Sequence, residues 1–115
     1  MKYLVPTLLL LSGAAQAQAH GEAAADCAAL WQGVALEAAD NPDEEDSAES
    51  ASLLARQFSL SAAAAGLAGQ PLRATILEAL PGYRLLYRGV IAEDDDSREI
   101  FEQRAVDCNA LLEAG

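Results

Sequence analysis

Apolar residues recur at helical spacing in four stretches of the chain, and turns rich in Asp, Pro and Gly separate these stretches. The first stretch predicts a helix over residues 23–39, because apolar side chains three and four positions apart share one helix face. These side chains are Cys27, Leu30, Trp31, Val34 and Ala38. The single tryptophan lies on this face, so we predict that Trp31 is a core residue.

A second helix is predicted over residues 44–65, at the end of an acidic turn. Acidic side chains are favourable at the positive end of the helix dipole, and Asp46 with Glu49 has the spacing of a capping box. The apolar stripe is Ala51, Leu54, Phe58 and Ala62, with Leu53, Leu60 and Leu67 beside it. Gly66 and Gly69 predict the end of this helix.

The third helix is predicted over residues 71–92 and contains a proline. Apolar positions from Leu72 to Val90 are separated by four, four, three, four and three residues, and this phase continues through Pro81. A proline inside a helix removes one hydrogen bond and clashes with the carbonyl four residues back. One helix kinked at Pro81 accounts for both facts. The alternative is two shorter helices broken there.

A fourth helix is predicted over residues 97–113, with Asp96 as its cap and Glu99 three positions later. Its apolar face contains Ile100, Phe101, Ala105, Cys108, Leu111 and Leu112. Four helices joined by short turns predict an all-α fold, a four-helix up-down-up-down bundle.

The two cysteines of the chain lie on the first and the last predicted helices. In an up-down-up-down bundle these helices are antiparallel neighbours, which places Cys27 and Cys108 at the same end. We therefore predict a disulfide that ties the first helix to the last. A disulfide between two chains, which would make a dimer, is the alternative.

Residues 1–19 have the pattern of a secretory signal peptide. Lys2 precedes a short apolar run, and small residues follow it up to Ala17 and Ala19, the two predicted cleavage positions. The apolar run is too short to span a bilayer. We predict that residues 1–19 are removed, that residues 20–115 form one domain without membrane insertion, and that the protein is periplasmic or secreted. Export fits a chain with one cysteine pair.

The charge of the chain excludes several function classes. Seven basic and 18 acidic residues give a net charge of -11, which argues against binding to nucleic acid or to anionic membrane surfaces. With one histidine, paired cysteines and no phosphate-binding glycine loop, the chain lacks the parts of a catalytic triad or a nucleotide site. We predict a protein that is not an enzyme and has no cofactor.

Three arginines of the third helix form the main candidate site. Arg73, Arg84 and Arg88 share one face, and Tyr83 and Tyr87 lie beside two of them. Aligned guanidinium groups bind carboxylates or phosphates, so these five residues are a predicted partner-binding site. The alternative is that the arginines pair with acids of neighbouring helices and have a structural role only.

A metal site is a second possibility. Cleavage after Ala19 would make His20 the N-terminal residue, and its amine and imidazole nitrogens suit copper. The acidic stretches 40–46 and 93–96 lie at helix starts and lack the calcium-loop pattern, since they have neither a glycine sixth nor a glutamate twelfth. Their simpler interpretation is solvated helix caps.

In outline the chain is similar to small, disulfide-tied, all-helical periplasmic proteins of bacteria, which include immunity proteins against secreted toxins and acid-stress chaperones. Export, size, helicity and the cysteine pair carry this resemblance, and it assigns no site residues. The leading hypothesis is a non-enzymatic module, monomeric or dimeric, that binds a protein partner through a helix face. Metal handling and a structural or stress-tolerance role are the alternatives.

Overall fold

A computed structural model describes residues 4–44 and 46–114 of the chain, with side chains described at positions 13–44 and 46–113. The described residues form four helices and no strand, which confirms the all-α four-helix bundle. The helices are α1 (Leu4–Ala39), α2 (Ala48–Ala64), α3 (Gly69–Ile91) and α4 (Asp95–Ala114).

Helix α1 is the centre of the bundle. Both α2 and α3 pack along it, whereas α4 packs mainly on α3 and meets α1 near the disulfide. The alanines of α1 let the neighbouring helices come close, and larger side chains fill the spaces between them. The largest fully buried side chains are Tyr87, Phe58, Leu30 and Val34.

Trp31 is buried and packs edge-on against Phe101 of α4, with ring centroids 5.9 Å apart. Tyr87 of α3 packs against the same ring at 5.2 Å. Edge-on aromatic pairs stabilise beyond the area they bury. This cluster joins α1, α3 and α4, and it confirms Trp31 as a core residue.

The predicted disulfide is present within one chain. Cys27 and Cys108 are bonded with an S–S distance of 2.09 Å and a Cα–Cα distance of 5.8 Å. Both residues are buried. The bond therefore ties α1 to α4, as predicted, and the two-chain alternative is not what the structure shows.

Helix α1 begins much earlier than the predicted start at position 23. It has 36 residues, and the predicted cleavage positions Ala17 and Ala19 lie within it. The cause is a run of good helix formers, alanine and glutamine, with no cap between them. Residues 1–3, which include the Lys2 of the leader prediction, lie outside the described residues. No helix in the described part of the chain is long and apolar enough to cross a bilayer.

The caps of α2 and α4 differ from the predicted ones. Ser47 caps α2, and its hydroxyl accepts a hydrogen bond from the N–H of Ser50 at 3.1 Å. The carboxylate of Asp46 instead accepts a hydrogen bond from the hydroxyl of Tyr87. Asp94 caps α4 and accepts bonds from the N–H and the hydroxyl of Ser97, at 2.9 and 2.7 Å. These bonds lower the pKa of Asp94, the hydroxyl bond most. Asp96 instead lies in the first turn.

Helix α3 runs without interruption through Pro81, so the single-helix prediction is confirmed over two broken helices. Glu93 has a φ of 62°, and the N–H of Asp94 donates to the carbonyl of Gly89 at 2.9 Å. This left-handed residue ends α3 and turns the chain towards α4.

Three apolar residues lie outside the core, although the spacing placed them on or beside an apolar face. Leu53 is 57% exposed, Leu60 is 65% exposed and Ile100 is 53% exposed. Their helices each contact the bundle along one narrow side, because α1 occupies the centre. The apolar stripes of α2 and α4 are thus narrower than the sequence pattern indicates.

Candidate functional site

The candidate site is positioned by a close crossing of α1 and α3. A Cβ added to Gly33 of α1 would lie 3.2 Å from the backbone nitrogen of Arg84 and 3.2 Å from the Cβ of Tyr83. Ordinary contacts between carbon atoms are about 3.5–4.0 Å. Glycine therefore lets the middle of α3, just after Pro81, rest directly on α1.

Glu37 lies one turn after Gly33 and is buried at this crossing. Its Oε2 accepts a hydrogen bond from the Nε of Arg84 at 2.7 Å, and its Oε1 accepts one from the Nε of Arg88 at 2.9 Å. The two arginines are four residues apart, so they lie on the same side of α3. A single buried carboxylate thus holds two guanidinium groups side by side.

The charges of this group stabilise one another. Hydrogen bonding from Arg88, followed by that from Arg84, lowers the pKa of Glu37 and outweighs burial, which acts in the opposite direction. The same interaction raises the pKa of Arg88. Glu37 is therefore ionised at neutral pH, and the three side chains together carry a formal charge of +1.

Both arginines also reach solvent. The side chain of Arg84 is 36% exposed and that of Arg88 is 57% exposed, whereas that of Glu37 is only 8% exposed. The two arginines thus pair with an acid of a neighbouring helix, as the structural alternative predicts, and they also remain accessible to solvent. Each bond to Glu37 uses one N–H of a guanidinium group that has five.

The two tyrosines point into the bundle. The hydroxyl of Tyr83 donates to Asp26 of α1, and that of Tyr87 donates to Asp46 at 3.1 Å. Burial, together with the bond to Asp26, raises the pKa of Tyr83 far above its usual range. Tyr87 is fully buried. Both hydroxyls therefore bind acids of other parts of the bundle; Tyr87 lies in the core, whereas Tyr83 is half-buried.

Arg73 lies on the same side of α3, but eleven residues before Arg84, which is about 16 Å along the helix. It is exposed and donates to the side chain of Gln70 at 2.8 Å. The structure thus brings Arg84 and Arg88 together and leaves Arg73 separate from them.

Exposed leucines lie next to the paired arginines. Leu77 is 64% exposed and Leu85 is 68% exposed. An open cavity of about 320 Å³ lies beside the first of them. Its lining is Leu77, Leu80, Pro81, Arg84 and Arg88. We define the α3 outer face as these five residues together with Leu85.

Glu37 and the exposed leucines are absent from the predicted site, although the sequence carries signals for both. Glu37 is the only charged residue between Cys27 and Asp40, in a segment that is otherwise almost entirely apolar. Leu77 and Leu85 are apolar residues of α3 that lie outside its core stripe. A lone acid in an apolar helix indicates a buried ion pair, and surplus leucines indicate an apolar surface.

The charge of α3 is opposite to that of the chain. Its three arginines and one glutamate give it a formal charge of +2, whereas the whole chain carries -11. The α3 outer face is therefore a basic and apolar surface on an acidic protein.

The chain matches no protein-family model, and no curated protein or solved structure matches it significantly. The assignment of function therefore depends on the geometry of the residues themselves.

His20 lies within α1 and is half-buried, with its Nε2 atom 3.1 Å from the hydroxyl oxygen of Ser61. In the continuous helix its backbone nitrogen is an amide, so the terminal amine of the copper prediction would exist only after cleavage. No group of three or more His, Cys, Asp or Glu side chains that could hold a metal occurs in the described part of the chain.

The first of the two acidic stretches, 40–46, borders a cleft shared with α3 and α4. A polar cleft of about 250 Å³ separates the turn before α2 from the start of α4. Its lining is Glu44, Asp46, Tyr87, Val90, Arg98, Phe101 and Glu102. One arginine is interspersed with these acids, and Asp46 is bonded to Tyr87. Glu45 lies outside the described residues.

Proposed function

We propose that this protein is an exported, non-enzymatic interaction module that binds an acidic, partly apolar segment of a partner protein through the α3 outer face. The observation that carries the proposal is the juxtaposition of two exposed leucines with two accessible arginines. An exposed apolar surface rimmed by polar groups is typical of a protein interaction site. Aligned guanidinium groups favour an occupant with carboxylates.

Charge complementarity selects the kind of occupant. A partner with an acidic segment would be attracted to α3 and repelled by the remaining, strongly acidic surface, which would direct it to one face. A second copy docked symmetrically on α3 would place arginines against arginines and leucines against leucines. A segment of a different protein that combines acidic and apolar side chains fits this face better.

Photo-crosslinking tests this proposal directly. A photo-crosslinking amino acid is placed at Leu85 of α3 and, as a matched control, at Leu60 of α2, since these residues are 68% and 65% exposed. Both variants are irradiated in extracts of the source organism, and the crosslinked peptides are sequenced by mass spectrometry. We expect an acidic partner segment from position 85 and none from position 60.

Paired substitutions provide the second arm of the test. Leu77→Ser with Leu85→Ser is expected to abolish binding of that partner, because it removes the apolar part of the face without touching the core. Leu53→Ser with Leu60→Ser on α2 serves as the control and is expected to leave binding unchanged. Equal binding by both double variants would refute the proposed face, as would equal loss.

Export is part of the proposal and is supported by the leader pattern and by the disulfide. In addition, the side chains of residues 13–19 are all exposed, and close packing begins at His20 and Gly21. A Cβ on Gly21 would lie 3.2 Å from the Cβ of Leu67 on the turn after α2. Removal of residues 1–19 would thus spare the core. The intact mass of the protein purified from its natural host tests this point, and a mass that includes residues 1–19 would contradict it.

A further inference from the structure

The paired arginines have the geometry of a binding site for one negatively charged group. Glu37 accepts the Nε–H of Arg84 and of Arg88 with its two separate oxygens, which fixes both guanidinium groups next to each other. Because each group has four further N–H donors, the pair can donate several bonds to a ligand while it keeps Glu37. The exposed fractions of both side chains show that solvent reaches them.

The surroundings of the pair specify the rest of the ligand. The cavity of about 320 Å³ beside the arginines has an apolar wall, made by Leu77, Leu80 and Pro81. A ligand that fills it must carry an aliphatic group close to its charged group. A ligand with charge alone would leave this wall uncovered.

The net charge of the site favours a monoanion. Two arginines and Glu37 sum to +1, which one carboxylate neutralises. A phosphate dianion would leave an excess negative charge beside the buried Glu37. Polyanions such as nucleic acid would also be repelled by the -11 charge of the chain.

We propose that Arg84 and Arg88 form a two-armed carboxylate site, with Glu37 as the positioning residue, for a carboxylate that lies next to an aliphatic side chain of the bound segment. This inference rests on the proposed function and specifies the anchor of the partner. The carboxylate has two possible sources, namely the C-terminus of a chain or an Asp or Glu side chain.

Small probes test the site without knowledge of the partner. N-acetylleucine presents a terminal carboxylate beside an isobutyl group, and N-acetylleucinamide is its uncharged match. An acetylated and amidated pentapeptide with leucine first and glutamate last presents a side-chain carboxylate instead. Binding is followed through the NMR signals of the arginine Nε–H groups. We expect saturation on the order of millimolar for a carboxylate probe, with shifts at Arg84 and Arg88 and none with the amide.

Variants that keep the positive charge distinguish a requirement for the guanidinium geometry from simple electrostatic attraction of the carboxylate. In Arg84→Lys with Arg88→Lys the positive charges remain, but an ammonium group lacks the planar fork that serves Glu37 and a ligand together. Carboxylate affinity should fall about tenfold in this variant. Arg73→Lys is the matched control, because Arg73 lies outside the pair, and it should bind like the unmodified protein.

The outcomes are distinct. Whichever carboxylate probe binds more tightly identifies the source of the partner's charge. Unchanged affinity in the double lysine variant, equal binding of the amide, or no binding of either carboxylate would overturn the two-armed site. If the site fails while the Leu77→Ser with Leu85→Ser variant still loses its partner, the proposed docking face stands and only its anchor is wrong.

Discussion

The burial of Glu37 predicts an asymmetry between the two sides of its ion pair. Removing both arginines, in Arg84→Gln with Arg88→Gln, leaves a carboxylate whose side chain is only 8% exposed without a charged partner. An unpaired charge that is fully buried costs about 3 kcal/mol or more, and here we expect about 2 kcal/mol, because glutamine is shorter than arginine and lets water approach the carboxylate. Removing the acid, in Glu37→Gln, instead leaves two cations that already reach water.

Glu37→Gln should therefore destabilise the protein less than the double arginine variant does. The amide of glutamine can still accept a hydrogen bond, so Glu37→Gln should lower the free energy of unfolding by only about 1 kcal/mol. For a domain of this size each kcal/mol shifts the melting temperature by about 4–8 °C. We expect losses of about 5 °C for Glu37→Gln and about 10 °C for the double arginine variant.

Urea unfolding followed by circular dichroism measures these differences. The triple variant, with glutamine at positions 37, 84 and 88, should be more stable than the double arginine variant, because the buried charge is gone. A Glu37→Gln protein that is less stable than the double variant would refute the reasoning. So would a triple variant that gains nothing over the double variant.

The pH dependence of the free energy of unfolding tests the same reasoning independently. In the unmodified protein the pKa of Glu37 is lowered from its ordinary value of 4.5, so this stabilisation is present above about pH 4.5 and is lost as the pH falls through the folded-state pKa. Without the arginines, burial alone would raise that pKa. The double arginine variant should therefore become more stable between pH 7 and about pH 5, whereas the unmodified protein should not.

Three further predictions concern the fold. Reducing the disulfide, which joins residues 81 positions apart, should lower the free energy of unfolding by about 4.5 kcal/mol in urea titrations, and an unchanged midpoint would contradict this. Gly89→Ala should destabilise by about 1–3 kcal/mol, because its Cβ would lie 2.6 Å from that of Ser97. Gly82→Ala should instead stabilise the helix, because a Cβ at that position would meet nothing within 4 Å. A higher melting temperature for Gly89→Ala than for Gly82→Ala would contradict the close approach of Gly89 to Ser97. Finally, the raised pKa of Tyr83 implies stability that is present below about pH 10 and is lost as the pH rises further, so Tyr83→Phe should flatten the alkaline limb of the stability curve.

Helix spacing and the cysteine pair were sufficient to predict the four helices and the disulfide. Periodicity identifies which side chains share a face, and the bundle topology then places Cys27 beside Cys108. The caps were predicted less well, because several acids compete at each helix start. Asp94 caps α4 in place of Asp96 because it accepts two hydrogen bonds from Ser97, and its position depends on how α3 ends.

The site was predicted in part. Spacing on α3 placed Arg84 and Arg88 together, but it could not show that Tyr83 and Tyr87 turn inward, since that depends on acids of α1 and of the turn before α2. The close approach at Gly33, which buries Glu37, is a contact between helices far apart in sequence. Periodicity along one helix contains no information about such a contact.

The position of the disulfide also determines how the protein would respond to mechanical force. A pull on the two ends of the chain would be transmitted from α1 through the bond between Cys27 and Cys108 directly into α4. The segment between them, with all of α2 and α3, would bear no tension while the bond is intact. A translocase or a protease that unravels proteins from one end would therefore meet a covalent stop before it reaches the α3 outer face.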